Sequence, residues 1–479
     1  MMLDFEPKTV MKYFEEICAI PHGSGNTKTI SNYLMEFAKL HGLKARQDEM
    51  NNVIIWKKAT KDKVGCDEVI LQGHIDMVSV KEAGCTKNLE TEGLDLVVSD
   101  GFISAQGTSL GGDDGIAVAY ALAVLAADDI SHPDIVAVFT VDEEIGMLGA
   151  AGIDLSDVRG KMLLNMDSED EGIFLVSCAG GATAECVIPV LRSKISGTAY
   201  DVTFAGFKGG HSGVEIDKGR ANTNILLGRM LMELADIMPF GIVTLNGGEK
   251  DNAIAKISRA EIVVFDECTD MFEQYVDGFE KTIISEYSGV EDAISIKAEK
   301  IGQGNYESVD QNGMNSICLA INYIPNGIQK MSANIEGLVQ TSLNLGKLTL
   351  TKERATMTYS VRSSVGSEKA FLLNKIKTLV EFLGGTVDIS GDYPAWEYKE
   401  DSKLRDTMII SYEKLFGTTP KLEAIHAGVE CGILAGKIEG LDCVSFGPQI
   451  YDIHTTDERM DIASVERTWK LIIDVLKNI

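Results

Sequence analysis

The stretch Glu68–Val78, which reads EVILQGHIDMV, is the one on which the fold turns. Val69, Ile70 and Leu71 form a short apolar run of the kind found in strands covered on both faces of a sheet. The run then ends in polar chemistry, with Gly73, His74, Ile75 and Asp76 in succession. His74 and Asp76 lie two residues apart, so an extended chain presents them on the same side. A histidine that binds a metal commonly needs a carboxylate to fix its tautomer and ring orientation, and Asp76 is placed to hold His74. A strand-end histidine merely satisfied by its neighbour has the same local pattern. The rest of the chain must decide between the two.

The same pattern recurs further on. A glycine-rich loop, Gly107 to Gly112, leads into an apolar helix predicted over Gly115–Ala127. A strand over Ile135–Val141 follows and ends in Asp142, Glu143 and Glu144, and another over Lys161–Met166 ends in Asp167. Strand, helix and strand with polar residues at the strand ends is the signature of an open α/β sheet, whose ligands sit outside the carboxyl ends of the strands. Upstream, Val10, Phe14, Ile17 and Cys18 recur at helical spacing, as do Ile30, Leu34, Phe37 and Leu40 before Gly42. Between Pro189 and Tyr393 the character changes to β-rich segments alternating with helices, an α+β unit of its own. After Trp396 the first style returns, and the final helix is predicted to carry Trp469, Ile472, Ile473 and Leu476 on one face.

Bulk properties narrow the function. A chain of 479 residues is too long for one compact core, so two domains are expected. Hydrophobic residues make up 45% and charged residues 24%, a globular balance. The net charge of −28 argues against nucleic acid or an anionic membrane as a partner. Small anions remain admissible, because a bound divalent metal reverses the field locally. Residues Met1 to Asn26 lack the pattern of a secretion signal, and the longest apolar run is too short to span a bilayer. The nine cysteines contain no C-x-x-C pair, which points to a reducing, cytoplasmic setting and away from a thiolate metal site.

Only seven histidines are present. His41 suits a helix C-terminus, and His22 and His132, each beside a proline, read as surface loop residues. Asp113 and Asp114 open the apolar helix. One aspartate there is an ordinary N-cap, and the other is left free to face the strand ends. Glu143 and Glu144 allow a division of labour, one binding metal and one acting as general base. Asp167 lies in an acidic loop with Glu169, Asp170 and Glu171. Few lysines neutralise these groups, and like charges crowded into one crevice are costly unless cations compensate. A pair of divalent metals, ~3.5–4 Å apart in known two-metal sites, supplies that compensation. Nitrogen and oxygen ligands without cysteine favour zinc, with manganese or cobalt as substitutes.

Taken together, Gly73-His74-Ile75-Asp76, Gly112-Asp113-Asp114-Gly115, Asp142-Glu143-Glu144-Ile145-Gly146, Asn165-Met166-Asp167 and Ile453-His454-Thr455 resemble, in order, the motifs of the dizinc peptidases related to carnosinase and carboxypeptidase G. The resemblance spans essentially the whole chain. Gly209-Gly210-His211-Ser212-Gly213, Gly219-Arg220-Ala221-Asn222 and His426-Ala427-Gly428-Val429-Glu430-Cys431-Gly432 are similar to its bacterial cytosolic dipeptidase branch in particular.

The resemblance implies that Asp113 bridges two zinc ions, that His74 and Asp167 complete one site, and that Glu144 and His454 complete the other. It implies that Asp76 orients His74 and that Glu143 is the general base. Aspartate at the position of Asp167 goes with aminopeptidase or dipeptidase activity in this family, which points to dipeptides as substrates. A ligand at His454 joins the two flanks into one split α/β catalytic domain, residues 1–188 and 395–479, with an inserted α+β lid over 189–394. On the lid, His211 resembles a histidine that stabilises the oxyanion, and Arg362 one that grips the substrate carboxylate. Asn252 and Glu430 are further candidates for substrate contacts, and His426 reads as a packing residue. Relatives are often dimers through the lid, sometimes with the lid histidine supplied by the partner, so a homodimer is admitted. An N-acyl-amino-acid amidohydrolase of the same fold is the competing expectation. A non-catalytic metal-binding scaffold is disfavoured because every ligand and the base are present.

Overall fold

A computed structural model describes residues 3–479. The chain divides into two compact units, one made of the residues up to Cys178 with Tyr398–Ala424 and Val429–Ile479, the other of Ala179–Glu397 with Ile425–Gly428.

The first unit is built on an eight-stranded mixed sheet. Its centre is four parallel strands in the order Ile135–Thr140, Val69–His74, Met162–Asn165 and Asp442–Ser445. All four are buried along their length, as strands covered on both faces must be. The fourth comes from the C-terminal segment and pairs in register with Met162–Asn165. That pairing ties the two flanks of the sequence into one sheet.

The helix Gly112–Ala126 is apolar on every side and buried on every side, as expected for a helix inside a sheet-and-helix sandwich. It packs on Val69–His74 and on the helix Lys8–Cys18. The last helix, Ile462–Asn478, buries Val465, Thr468, Leu471, Ile472, Val475 and Leu476. Its inward stripe is therefore rotated from the predicted face, and Trp469 and Ile473 are only partly covered. Trp469 instead stacks on Tyr120 with ring centroids 6.2 Å apart.

The second unit holds a nine-stranded antiparallel sheet whose core also takes in helices Thr223–Ile237, Thr269–Glu286, Gln311–Tyr323 and Gly366–Phe382. The predicted boundary at 188/189 moves to 178/179. The strand Gly180–Pro189 pairs along its whole length with Arg354–Ser363 and so belongs to this second sheet. Among the described residues, no helix is long and apolar enough to cross a membrane.

Candidate active site

The carboxyl ends of the parallel strands gather the groups singled out in the sequence. His74 ends its strand with its backbone N–H donating to Asp114 Oδ2 at 3.1 Å. Gly73 makes that approach possible, because a Cβ there would sit 2.5 Å from the same oxygen and 2.6 Å from Ala117 Cβ. Asp113 and Asp114 lie at the head of the helix with non-helical backbone angles, which turns the two carboxylates apart.

The neighbours are thereby distinguished. Asp114 is committed to the His74 backbone, whereas Asp113 spans two rings. Its Oδ1 is 3.1 Å from His74 Nε2 and its Oδ2 is 3.0 Å from His454 Nε2. Asp167 Oδ1 lies 3.5 Å from His74 Nε2, and Glu144 Oε1 lies 2.9 Å from His454 Nε2. His74, Asp113 and Glu144 have ligand atoms within 4.8 Å of one another, as do His74, Asp114 and Asp167.

His454 reaches the cluster from a turn with φ 62° at the histidine itself, a backbone conformation that costs a non-glycine residue on the order of 1–3 kcal/mol. The turn is stitched by Thr455 Oγ1 donating to the Asp452 carbonyl at 2.6 Å and by an ion pair between Arg459 and Asp452. His454 stays 44% exposed, while His74 is 1% exposed. One side of the cluster is open and the other is floor.

The ring tautomer fixes which atoms face the cluster. His74 Nδ1 lies 2.9 Å from the Asp76 carbonyl oxygen. A carbonyl can only accept, so the neutral ring carries its proton on Nδ1. In that neutral form Nε2 offers a lone pair toward the same region as the oxygens of Asp113 and Asp167. Glu144 Oε1 is buried too, and its near neighbour is His454 Nε2 at 2.9 Å. Acceptors converging on acceptors need a shared cation, and these nitrogen and oxygen donors suit a divalent metal.

The titration behaviour agrees. Burial works against a charged His74, yet the Asp167 charge and the bonds to Asp113, Asp167 and Asp76 hold its proton well above the usual range. His454 is pushed up to about 10, mainly by its bonds to Asp113 and Glu144. Burial, with the charges of Asp113 and Glu143, pushes Asp167 upward against the pull of His74.

Glu143 follows Asp142, whose φ of 54° turns the chain sharply at the strand end. Burial first, then the charges of Glu430, Glu144 and Asp113, push its carboxyl up to about 7, with His74 opposing. Its backbone N–H donates to Asp76 Oδ1 at 3.1 Å, and Ser24 Oγ donates to Asp76 Oδ2 at 2.9 Å. The Asp76 carboxylate is thus held mainly by these two donors, with His74 Nδ1 3.5 Å from Oδ1. Asp76 steadies His74 chiefly through its carbonyl and steadies Glu143 through its carboxylate.

A profile of Peptidase family M20/M25/M40 matches residues 70–478. The chain belongs to that family. This peptidase is 31% identical over 475 residues to the cytosol non-specific dipeptidase of Escherichia coli, covering 99% of this chain and 98% of the relative. Its structure is similar to the aminoacylhistidine dipeptidase of Vibrio alginolyticus, with a TM-score of 0.94, 32% identity, and coverage of 100% of this chain and 98% of that one. The aminopeptidase PepT of Bacillus cereus shares the fold at 16% identity and a TM-score of 0.58, with 99% of each chain covered.

The other expected site residues of the peptidase lie in different settings. His211, on the second unit, accepts backbone N–H bonds at Nδ1 from Gly213 (3.1 Å) and Val214 (3.2 Å), so its own proton sits on Nε2. Burial and the nearby Arg362 charge lower its pKa, which keeps it a neutral N–H donor. Arg362 makes no ion pair among the described residues. One guanidinium nitrogen meets the Tyr393 hydroxyl at 3.2 Å, and its buried Nε has no hydrogen-bond partner among the described residues. His426 bonds Ser342 at 2.7 Å and is lowered to about 4 by burial and Arg362. Asn252 is exposed, and its carbonyl accepts from the Ser212 N–H at 2.9 Å.

Glu430 departs from its expected place among substrate contacts. It is 0% exposed, and its Oε2 accepts from Thr140 Oγ1 at 2.6 Å and from Gln72 Nε2. Asn165 bonds Gln72 in turn, completing a buried polar layer beneath the strand ends. Replacing Glu430 by alanine strands two buried donors, each costing ~1–3 kcal/mol. The expected result is a loss of about 3 kcal/mol in urea unfolding, and a change under about 0.5 kcal/mol would remove this support role.

His22 and His132, read as surface residues, are both buried. The loop after Pro21 is sewn onto the strand end by Ser24 N–H to Met77 O and Met77 N–H to His22 O. Tertiary stitching of this kind leaves no periodic trace in a sequence.

Proposed function

We propose that the protein hydrolyses unblocked dipeptides with a pair of divalent metal ions, zinc in the first instance, and Glu143 as general base. The observation that carries the reading is the Asp113 carboxylate, held between His74 and His454 with one oxygen toward each. His74, Asp113 and Asp167 would hold one ion, and Asp113, Glu144 and His454 the other. When bound, such a pair lowers the pKa of water toward about 7 and polarises the carbonyl to be attacked.

The chain's own residues supply the proton traffic. Glu143 Oε takes a proton from the attacking water and returns it to the leaving amine nitrogen, so the carboxylate ends as it began. Asp76 holds the Glu143 backbone and the His74 ring in place for this exchange. On the second unit, neutral His211 is suited to donate Nε2–H to a developing oxyanion. Arg362, without a carboxylate partner among the described residues, is suited to the substrate's C-terminal carboxylate. The cytosolic E. coli relative and nine cysteines without a C-x-x-C pair favour a cytoplasmic setting.

The direct test compares a dipeptide with its N-acetylated form by release of free amino acid. A site that binds a free α-amino group rejects the blocked analogue, by roughly a hundredfold or more in kcat/KM. Preference for the acetylated compound would make the protein an N-acyl-amino-acid amidohydrolase.

A further inference from the structure

Glu458 lies in the C-terminal segment, four residues beyond His454, and is 2% exposed. Its carboxylate accepts three consecutive backbone N–H groups from the glycine-rich loop. Oε2 takes Leu110 at 2.8 Å and Gly111 at 3.1 Å, and Oε1 takes Gly112 at 2.8 Å. These donors stand immediately before Asp113. They include the first free N–H groups of the helix Gly112–Ala126, which an N-cap side chain would ordinarily satisfy. The N-cap here is Gly111, with φ 65° and no side chain to offer. A Cβ at that position would meet Met77 Sδ at 2.7 Å, so glycine is required. Successive N–H groups in such a turn form an anion-holding concavity, and a helix N-terminus adds its own positive end.

The other end of Glu458 is equally fixed. It follows the turn that carries His454, where Asp457 N–H meets Thr455 Oγ1 at 3.2 Å. It precedes the strand Arg459–Asp461, which pairs with Phe102–Ala105. One side chain therefore joins the loop bearing Asp113 to the turn bearing His454, two residues 341 apart in sequence whose side chains meet at 3.0 Å.

We propose that Glu458 is a positioning residue for the metal centre, setting the Asp113–His454 geometry by clamping the Leu110–Gly112 backbone. The proposal rests on the metal-dependent reading above. Glutamine at this position keeps the size but replaces one acceptor oxygen with an NH2 group, which would point at a backbone N–H. At least one of the three donors then loses its partner.

The test titrates metal-free full-length protein with Co2+ alone, followed by visible absorption, and in parallel with Zn2+ against a competing chelator. Glu458→Gln is expected to weaken metal binding by about 10- to 100-fold. With excess metal, kcat is expected to recover toward the wild-type value while KM for the dipeptide stays unchanged. Asp461→Ala serves as a control, because the Asp461 side chain caps the last helix through Ser464 N–H at 2.7 Å and touches neither ligand loop. It is expected to lower Tm without changing metal affinity. Equal affinity in Glu458→Gln and wild type overturns the positioning role, whereas absence of metal binding by wild type overturns the functional reading itself. Should Glu458→Gln fail to fold, hydrogen exchange in wild-type protein decides. The Leu110, Gly111 and Gly112 amides are expected to exchange as slowly as the core of the following helix, and exchange at loop rates overturns the clamp.

Discussion

Replacing Glu143 by glutamine is expected to lower kcat on a dipeptide by about 10³-fold or more, with metal content and KM close to wild type. In the proposed mechanism the glutamate would both remove a proton from water and deliver it to the leaving amine, so the loss would fall on both halves of the reaction. The amide is isosteric, and the bond that fixes this residue to Asp76 is made by its backbone N–H, which the substitution leaves in place. Glutamine also takes one member out of a crowd that includes Glu144, Asp113 and Glu430, whose charges disfavour the Glu143 carboxylate. Unfolding is therefore not expected to confuse the result. The measurements are single-substrate kinetics with bound metal counted on the same sample. Turnover within about tenfold of wild type would exclude Glu143 as the proton carrier.

The α/β architecture was legible because the four central strands are short apolar runs, and three of them hand over to polar residues at the sheet's edge. His74, the Glu143–Glu144 pair and Asp167 were legible as candidates for a related reason, because groups that end buried strands have no structural purpose as obvious as packing. Asp113 and Asp114 stood out as a double aspartate at a helix head, and His454 entered only through the family resemblance. The choice between Asp113 and Asp114 was not legible, since local spacing treats neighbours alike. It emerges from the non-helical backbone at the helix head, which sends one carboxylate to two imidazoles and the other to a backbone N–H. The buried bonding of Glu430, named in the sequence only as a candidate substrate contact, and Glu458 altogether escaped for a different reason. Their partners, Gln72 and Thr140 in one case and Leu110 to Gly112 in the other, lie about 290 to 360 residues away in sequence. A buried carboxylate satisfied by distant partners looks, in one sequence, like any surface glutamate. The first domain boundary shifted by ten residues because a strand's allegiance depends on which sheet it pairs with, and alternation alone does not reveal that.

Asp113→Asn tests the proposed role of Asp113 as a residue that would serve both metal sites. Burial opposes ionisation of Asp113, but its bonds to His454 and His74 hold it well below the usual carboxylate range, so it is the one fixed negative charge that both rings share. Asparagine keeps the volume and leaves one acceptor, so one of the two histidines must face an NH2 group, and a donor cannot share a metal. Wild-type protein is expected to gain thermal stability when metal is restored after chelation, by up to about 4 kcal/mol for each site at a thousand times Kd. In Asp113→Asn that metal-induced rise is expected to vanish, with turnover falling below about one part in 10⁴. The adjacent substitution separates the two carboxylates. Asp114 lends an oxygen to the His74 N–H, and asparagine offers one too, so Asp114→Asn is expected to bind metal and to stay within about tenfold of wild-type turnover. The reverse outcome, metal lost in Asp114→Asn and kept in Asp113→Asn, would move the bridge to Asp114. It would also leave the 3.0 Å approach of His454 to Asp113 as a pairing of charges in the metal-free chain alone.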